Sequence, residues 1–178
     1  WDHDQFIIPD DLLVLWRSFA KRNIEVKSNW ENKNKDFLKS EDFKQFFNLK
    51  LENKTKEEIV NFKKTYSVDE TKYATRKASE KSLELLNNHI HNFIGGSADL
   101  TGSNNTKTTE MGIFNADNYN GSYVYYGIRE HAMAGVMNGL ALHGGIRAYG
   151  GTFLVFSDYC RPSIRLAALM NIPVIYVM

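Results

Sequence analysis

One carboxylate in this chain stands where a shielded proton exchange would need it. Glu130 falls in Tyr126-Gly127-Ile128-Arg129-Glu130-His131-Ala132-Met133, between an aromatic strand-like run and a long apolar helix. A carboxylate at a helix entrance lies near the positive end of the helix dipole, while its apolar surroundings strip it of water. That setting suits proton exchange with a bound heterocycle better than it suits a surface ion pair. The competing reading is a helix-entry glutamate paired with Arg129, an arrangement worth little to the fold.

Other segments carry weaker chemistry. In Gly150-Gly151-Thr152-Phe153-Leu154-Val155-Phe156-Ser157-Asp158-Tyr159, three aromatics recur every third residue where a strand end turns into a helix. On helical geometry Phe153, Phe156 and Tyr159 share one side, either as a stacking wall for a flat ring or as an aromatic core stripe. Gly95-Gly96-Ser97-Ala98-Asp99-Leu100 closes a strand with two glycines and then presents an acid. Glycine permits positive φ and close backbone approach, so the segment reads as a ligand loop or as a tight turn with Asp99 in solvent. Arg76, at a helix start, is able to grip phosphate oxygens in bidentate fashion or to stand as a surface arginine. The Ser103 hydroxyl and nearby amides offer an anion cradle, a weak signal by itself. The five histidines show no metal-ligand spacing, and the sequence has neither a nucleophile elbow nor a phosphate-binding Walker loop.

The elements that must position these residues fall into two stretches. Residues 1–72 read as a polar, helical connector. A helix starts at Pro9-Asp10-Asp11, with Leu12, Leu13, Leu15, Trp16 and Phe19 at helical spacing. Residues 27–35 are Asn-rich and poorly patterned, which predicts a loop or a frayed helix end. Ser40 and Thr55 open two short amphipathic stretches, the second with Thr55 and Glu58 as a capping box. From residue 73 helices alternate with apolar strands. Helices are expected over 75–88, 129–143 and 156–170, and strands over 91–97, 146–149 and 174–177. The alternation predicts an α/β fold, a parallel sheet with helices on both faces. Ligands of such sheets sit at the strands' carboxyl ends, where the candidate residues fall.

Composition narrows the partners. With 22 basic and 21 acidic residues the net charge is +1, which gives no electrostatic case for nucleic acid. A single cysteine, Cys160, excludes an internal disulfide and favours a reducing, cytoplasmic setting. No apolar run approaches the roughly 18 residues of a membrane span. The apolar final run, Ile172 to Met178, reads as a buried strand, and with the Trp1 start it leads us to expect an internal piece of a longer protein.

The segments TRKASE, GGSADLTGSN, YYGIREHAM, NGLALHGG and GTFLVFSDYCRPSIRLAALM occur in the order and spacing seen in transketolases. The resemblance covers nearly all of residues 73–178, as a pyrimidine-binding domain truncated at its C-terminus. It is looser over 1–72, where Trp1 and Phe6-Ile7-Ile8-Pro9 look like the tail of that family's diphosphate-binding domain. The resemblance implies a thiamin diphosphate- and Mg2+-dependent transferase of the pentose phosphate pathway. Such an enzyme moves a two-carbon ketol unit from a ketose phosphate to an aldose phosphate through a ylid of the cofactor. Glu130 matches the glutamate that meets N1′ of the aminopyrimidine, and Phe156 the ring that stacks on it, with Phe153 and Tyr159 completing the wall. Asp99 and Leu100 match positions on the thiazolium side, and Arg76 and Ser103 the pair that grips the sugar's terminal phosphate. A second subunit of a homodimer is implied as partner.

Two departures bear on this. Gly102 stands where many relatives have proline, which loosens the Ser103 segment. The family's Gly-Asp-Gly motif, which anchors Mg2+ and diphosphate, does not occur in the 178 residues. The metal ligands are therefore expected outside this chain, and the chain alone is expected to be inactive. Rival readings are another thiamin diphosphate enzyme, such as a deoxyxylulose phosphate synthase or a dehydrogenase E1 chain, and a non-catalytic assembly module of a split enzyme. TRKASE and GGSADL argue against the first.

Overall fold

The computed structural model describes residues 2–48, 50–68 and 72–178; Trp1, matched above to a preceding domain, lies outside them. The chain divides into two compact units, Trp1–Gln45 and Phe46–Met178.

In the first unit α1 spans Asp10–Arg22 and α2 spans Ile24–Lys33. Pro9 precedes α1, acids occupy its first turn and Lys21 and Arg22 its last, so its charges oppose the helix dipole at both ends. Where a loop or a frayed helix end was expected over 27–35, the chain is helical through Lys33. An i,i+4 pair, Lys27 to Glu31 at 3.4 Å, supports α2, and Asn34 Nδ2 donates to the Trp30 carbonyl at 2.8 Å where it ends. The segment carries this one exposed pair and no apolar stripe. No residue of α1 or α2 is buried.

α3 covers Glu41–Phe47, α4 Asn53–Val68 and α5 Thr75–His89. The capping box expected at Thr55 does not form, because α4 begins two residues earlier. Thr55 is buried instead, its hydroxyl donating to the His89 carbonyl at 3.4 Å and tying α4 to the end of α5.

The sheet has four strands, β1 (Phe93–Ser97), β2 (Tyr123–Tyr125), β3 (Arg147–Gly151) and β4 (Val174–Val177), in the order β2-β1-β3-β4. Every pairing is parallel, as the alternation of elements requires. α6 is a four-residue turn, Thr101–Asn104, while α7 (Glu130–His143) and α8 (Ser157–Leu169) complete the fold. One face of the sheet packs Met133, Ala134, Met137 and Cys160 against Ala148; the other packs Leu83, Met111 and Tyr123 against Phe93 and Tyr149. Helices thus cover both faces.

The two central strands each carry a Gly-Gly pair, and close approach explains all four glycines. A Cβ on Gly95 would collide with the Tyr149 ring, and one on Gly96 with the Tyr126 ring. Gly150 meets the sulfurs of Met133 and Met137, and Gly151 meets Thr106 and Asn104. Consecutive strand residues point to opposite faces, so each pair admits a neighbour from both sides.

Candidate functional site

The carboxyl ends of β1, β2 and β3 deliver three loops to one cleft of about 760 Å³. After β1 come Ala98, Asp99 and Leu100; after β2 come Ile128 to Ala132; after β3 come Phe156 and Tyr159.

Glu130 is the first residue of α7 and only 8% exposed. Its carboxylate faces the Thr152 hydroxyl, which is fully buried and donates to Oε1 over a long 3.5 Å. Arg129 turns away, its guanidinium donating to the Tyr126 carbonyl at 2.9 Å. The alternative of a Glu130–Arg129 ion pair is therefore not the one the fold adopts. Behind Glu130, the Cys160 thiol donates to its backbone carbonyl at 3.4 Å. Burial, with the Glu130 carboxylate second, pushes that thiol's pKa up, so it is kept as a neutral packing group.

Asp99 is exposed and has φ 61°, the left-handed region. The sequence suggested that the glycines before it would supply positive φ. They are extended within β1, and Asp99 makes the turn, a conformation that Asp tolerates better than most residues. Ser97 pins this loop by accepting from the Leu100 amide at 3.2 Å and donating to the Gly151 carbonyl at 3.0 Å, so the β1 and β3 ends are tied together. Beneath, the Tyr123 hydroxyl joins Thr101 Oγ1 at 2.9 Å and Thr106 Oγ1 at 2.8 Å.

The aromatic triplet forms a column. Phe153 and Phe156 have centroids 6.2 Å apart with planes 14° from parallel, and Phe156 and Tyr159 are 6.1 Å apart at 24°. Phe156 and Tyr159 line the cleft, while Phe153 stacks on Phe156 outside its lining.

Arg76 and Ser103 are not part of the cleft. Both are exposed, and no hydrogen bond joins them. Their elements do meet: Asn105 Nδ2, just past α6, donates to Glu80 Oε2 at 3.0 Å, one helical turn along α5 from Arg76. Ser103 sits in a helical turn rather than in the open loop its glycine neighbour suggested, and open space surrounds Gly102.

Thr152 and His131 were not singled out from the sequence for this site. His131 lines the cleft and approaches Ser163 Oγ at 3.4 Å. Thr152 follows the Gly-Gly pair of β3, and that strand end is the signal that marks it.

A parallel sheet with an apolar cleft at its carboxyl ends, one carboxylate buried in it, defines a ligand-binding α/β domain. Comparison with known proteins gives the family. The profile described as the transketolase pyrimidine-binding domain matches residues 71–178. Over its whole length the chain is 46% identical to a transketolase of Cereibacter sphaeroides and 42% identical to one of Sinorhizobium medicae, spanning 27% and 26% of those proteins. Among solved structures, a Leishmania mexicana transketolase superposes with a TM-score of 0.74 at 32% identity, over 98% of this chain and 26% of that one. A Pichia stipitis transketolase solved with sedoheptulose-7-phosphate also gives 0.74, at 30% identity, over 98% of this chain and 27% of its own. The chain belongs to the transketolase family and carries its pyrimidine-binding domain. It spans about a quarter of the length of the curated relatives it matches.

Proposed function

We propose that residues 73–178 supply the pyrimidine side of a thiamin diphosphate site in a cytoplasmic transketolase, with residues 1–72 as the linker and tail of a preceding domain. The observation that carries this reading is the buried Glu130 carboxylate sharing one cleft with the Phe156 and Tyr159 rings. An aminopyrimidine has flat apolar faces and a polar edge, and this cleft offers aromatic rings for the faces and a carboxylate for the edge. When bound, thiamin diphosphate supplies the carbon nucleophile for two-carbon transfer. Glu130 holds and exchanges a proton at N1′, Phe156 fixes the ring plane with Phe153 and Tyr159 beside it, and Asp99 and Leu100 close the thiazolium side. Arg76 and Ser103 bind the terminal phosphate of the sugar substrates. Mg2+ and the diphosphate are held by residues outside this chain.

The cleft rim supports a macromolecular partner. Ile128 is 80% exposed, Leu154 70% and Val155 69%, an apolar surface of the kind that another protein covers. In our reading that partner is the second subunit of a homodimer. Among the described residues no helix is long and apolar enough to cross a membrane.

The test has two arms. The full-length protein, given thiamin diphosphate and Mg2+, should transfer a ketol unit between sugar phosphates; folded protein without transfer would overturn the reading. The isolated chain should neither transfer nor bind the cofactor tightly. Stacking contributes roughly 1 kcal/mol per aromatic pair, against about 8 kcal/mol for micromolar affinity. A micromolar Kd by calorimetry on the isolated chain would show that the cofactor grip is complete here.

A further inference from the structure

A second cavity lies at the opposite end of the sheet. Its volume is about 70 Å³, and its wall includes Lys50, Glu52, Thr55, His89, His91 and Arg147. The topology gathers these groups. Arg147 opens β3 opposite Phe93, the first residue of β1, and His91 lies two residues before Phe93. His89 ends α5, and Thr55 binds its carbonyl from α4. Lys50 and Glu52 enter from the segment before α4.

Arg147 is the unusual member. It is half-buried, and burial alone lowers its pKa, with no carboxylate beside it to offset the lost water. Arginine stays charged regardless, and this half-buried guanidinium has no carboxylate within ion-pair distance among the described residues. The three ion pairs among the described residues use neither Arg147 nor Lys50. Glu52, the one acid in the wall, lies beyond ion-pair distance of both. Two fixed cations against one carboxylate leave the wall positive even with both imidazoles neutral.

We propose that this cavity binds the phosphate group, as inorganic phosphate or as the head of a phosphate ester, with Arg147, Lys50 and His91 as its main donors. A guanidinium fork matches two phosphate oxygens, and an ammonium and an imidazole suit the rest. The volume of about 70 Å³ is several times the roughly 10–15 Å³ that one water requires. A phosphate head is of the size such a space admits. This site is separate from the pair assigned to the substrate's phosphate, since Arg76 and His89 lie near opposite ends of α5. At 1.5 Å per residue, that separation is roughly 20 Å.

The test titrates inorganic phosphate into the chain at constant pH and ionic strength, in an Arg76→Ala background that removes the other candidate phosphate contact. The C2–H proton signals of the five histidines report on position. Signals of His89 and His91 should move and saturate, while those of His3, His131 and His143 stay in place. Arg147→Gln should weaken binding by roughly tenfold or more. Glu52→Gln should tighten it, which keeps the proposal testable if Arg147→Gln fails to fold. Glycerol phosphate separates the two sources: tighter binding than inorganic phosphate assigns the site to esters, weaker binding to the free ion. All five signals drifting together, as with matched chloride, would overturn the proposal, as would a Glu52→Gln chain indifferent to phosphate.

Discussion

Glu130 and Arg76 are both charged groups at helix starts, yet the fold treats them in opposite ways. Glu130 is sunk among Thr152, Cys160 and the cleft wall, and its backbone is fixed between β2 and α7. Arg76 lies exposed in the first turn of α5, and its side chain makes no hydrogen bond or ion pair with a described residue. Groups placed by the core are ready before a ligand arrives, whereas exposed ones are ordered by the ligand and pay side-chain entropy on binding. The difference separates a group suited to chemistry from one suited to capture.

The comparison breaks first at Glu130. In the full-length protein, Glu130→Gln should leave thiamin diphosphate binding nearly intact while exchange of the cofactor's C2 proton slows by roughly 10²–10⁴-fold. Loss of deuterium from labelled C2 measures it, and a rate within a few-fold of wild type would remove Glu130 from proton transfer. Arg76→Ala should cost less, roughly ten- to a hundredfold in kcat/KM for phosphorylated donors. Hydroxypyruvate, which has no phosphate, should be spared; an equal loss on it would make Arg76 a structural residue.

Alkali should act on the organised side. Burial, with Tyr123 a smaller cause, pushes the Tyr126 phenol from 10.0 up to about 12, and burial does the same for Tyr176. Both are raised above their unfolded values, so their stabilisation is complete below pH 10 and fades as pH climbs toward 12. Denaturant midpoints should fall across that window, and Tyr126→Phe should flatten the fall by roughly 1–2 kcal/mol. The smallest effect is expected at Thr152→Val, since its bond to Glu130 is long. A few-fold slower C2 exchange with unchanged KM would mark Thr152 as orienting Glu130, and no change would make it a packing residue only.

What was legible in the sequence follows the same division. The strands and sheet-covering helices were visible because burial on both faces writes small and apolar residues into β1, β3 and α7, whereas β4, expected from its apolar run to be buried, is the edge strand and has no buried residue. Glu130 was visible because a lone acid at the mouth of such a helix contradicts its surroundings. The helix over 27–33 was not, since its polar sequence has no apolar period to read. The Thr55 cap failed for a tertiary reason: its hydroxyl found the His89 carbonyl, 34 residues away. Thr152 and the Tyr123 hydroxyl links were hidden because threonine and tyrosine are equally at home in any strand.

The paired glycines of β1 also bear on how the chain finds its fold. Gly95 receives the Tyr149 ring from one side of the sheet and Gly96 the Tyr126 ring from the other. Slipping β1 by one residue against β3 would set Ile94 or Gly96 beneath Tyr149 and turn every side chain to the wrong face. In either slip one ring still meets a glycine while the other meets Ile94 or Ser97, so a misaligned β1 meets a steric veto on one surface, and the aromatic rings act as proofreaders of strand alignment. Because Ser97 and Gly151 end their strands side by side, the same check that rejects a slipped sheet also sets the relative height of the Asp99 and Phe156 loops.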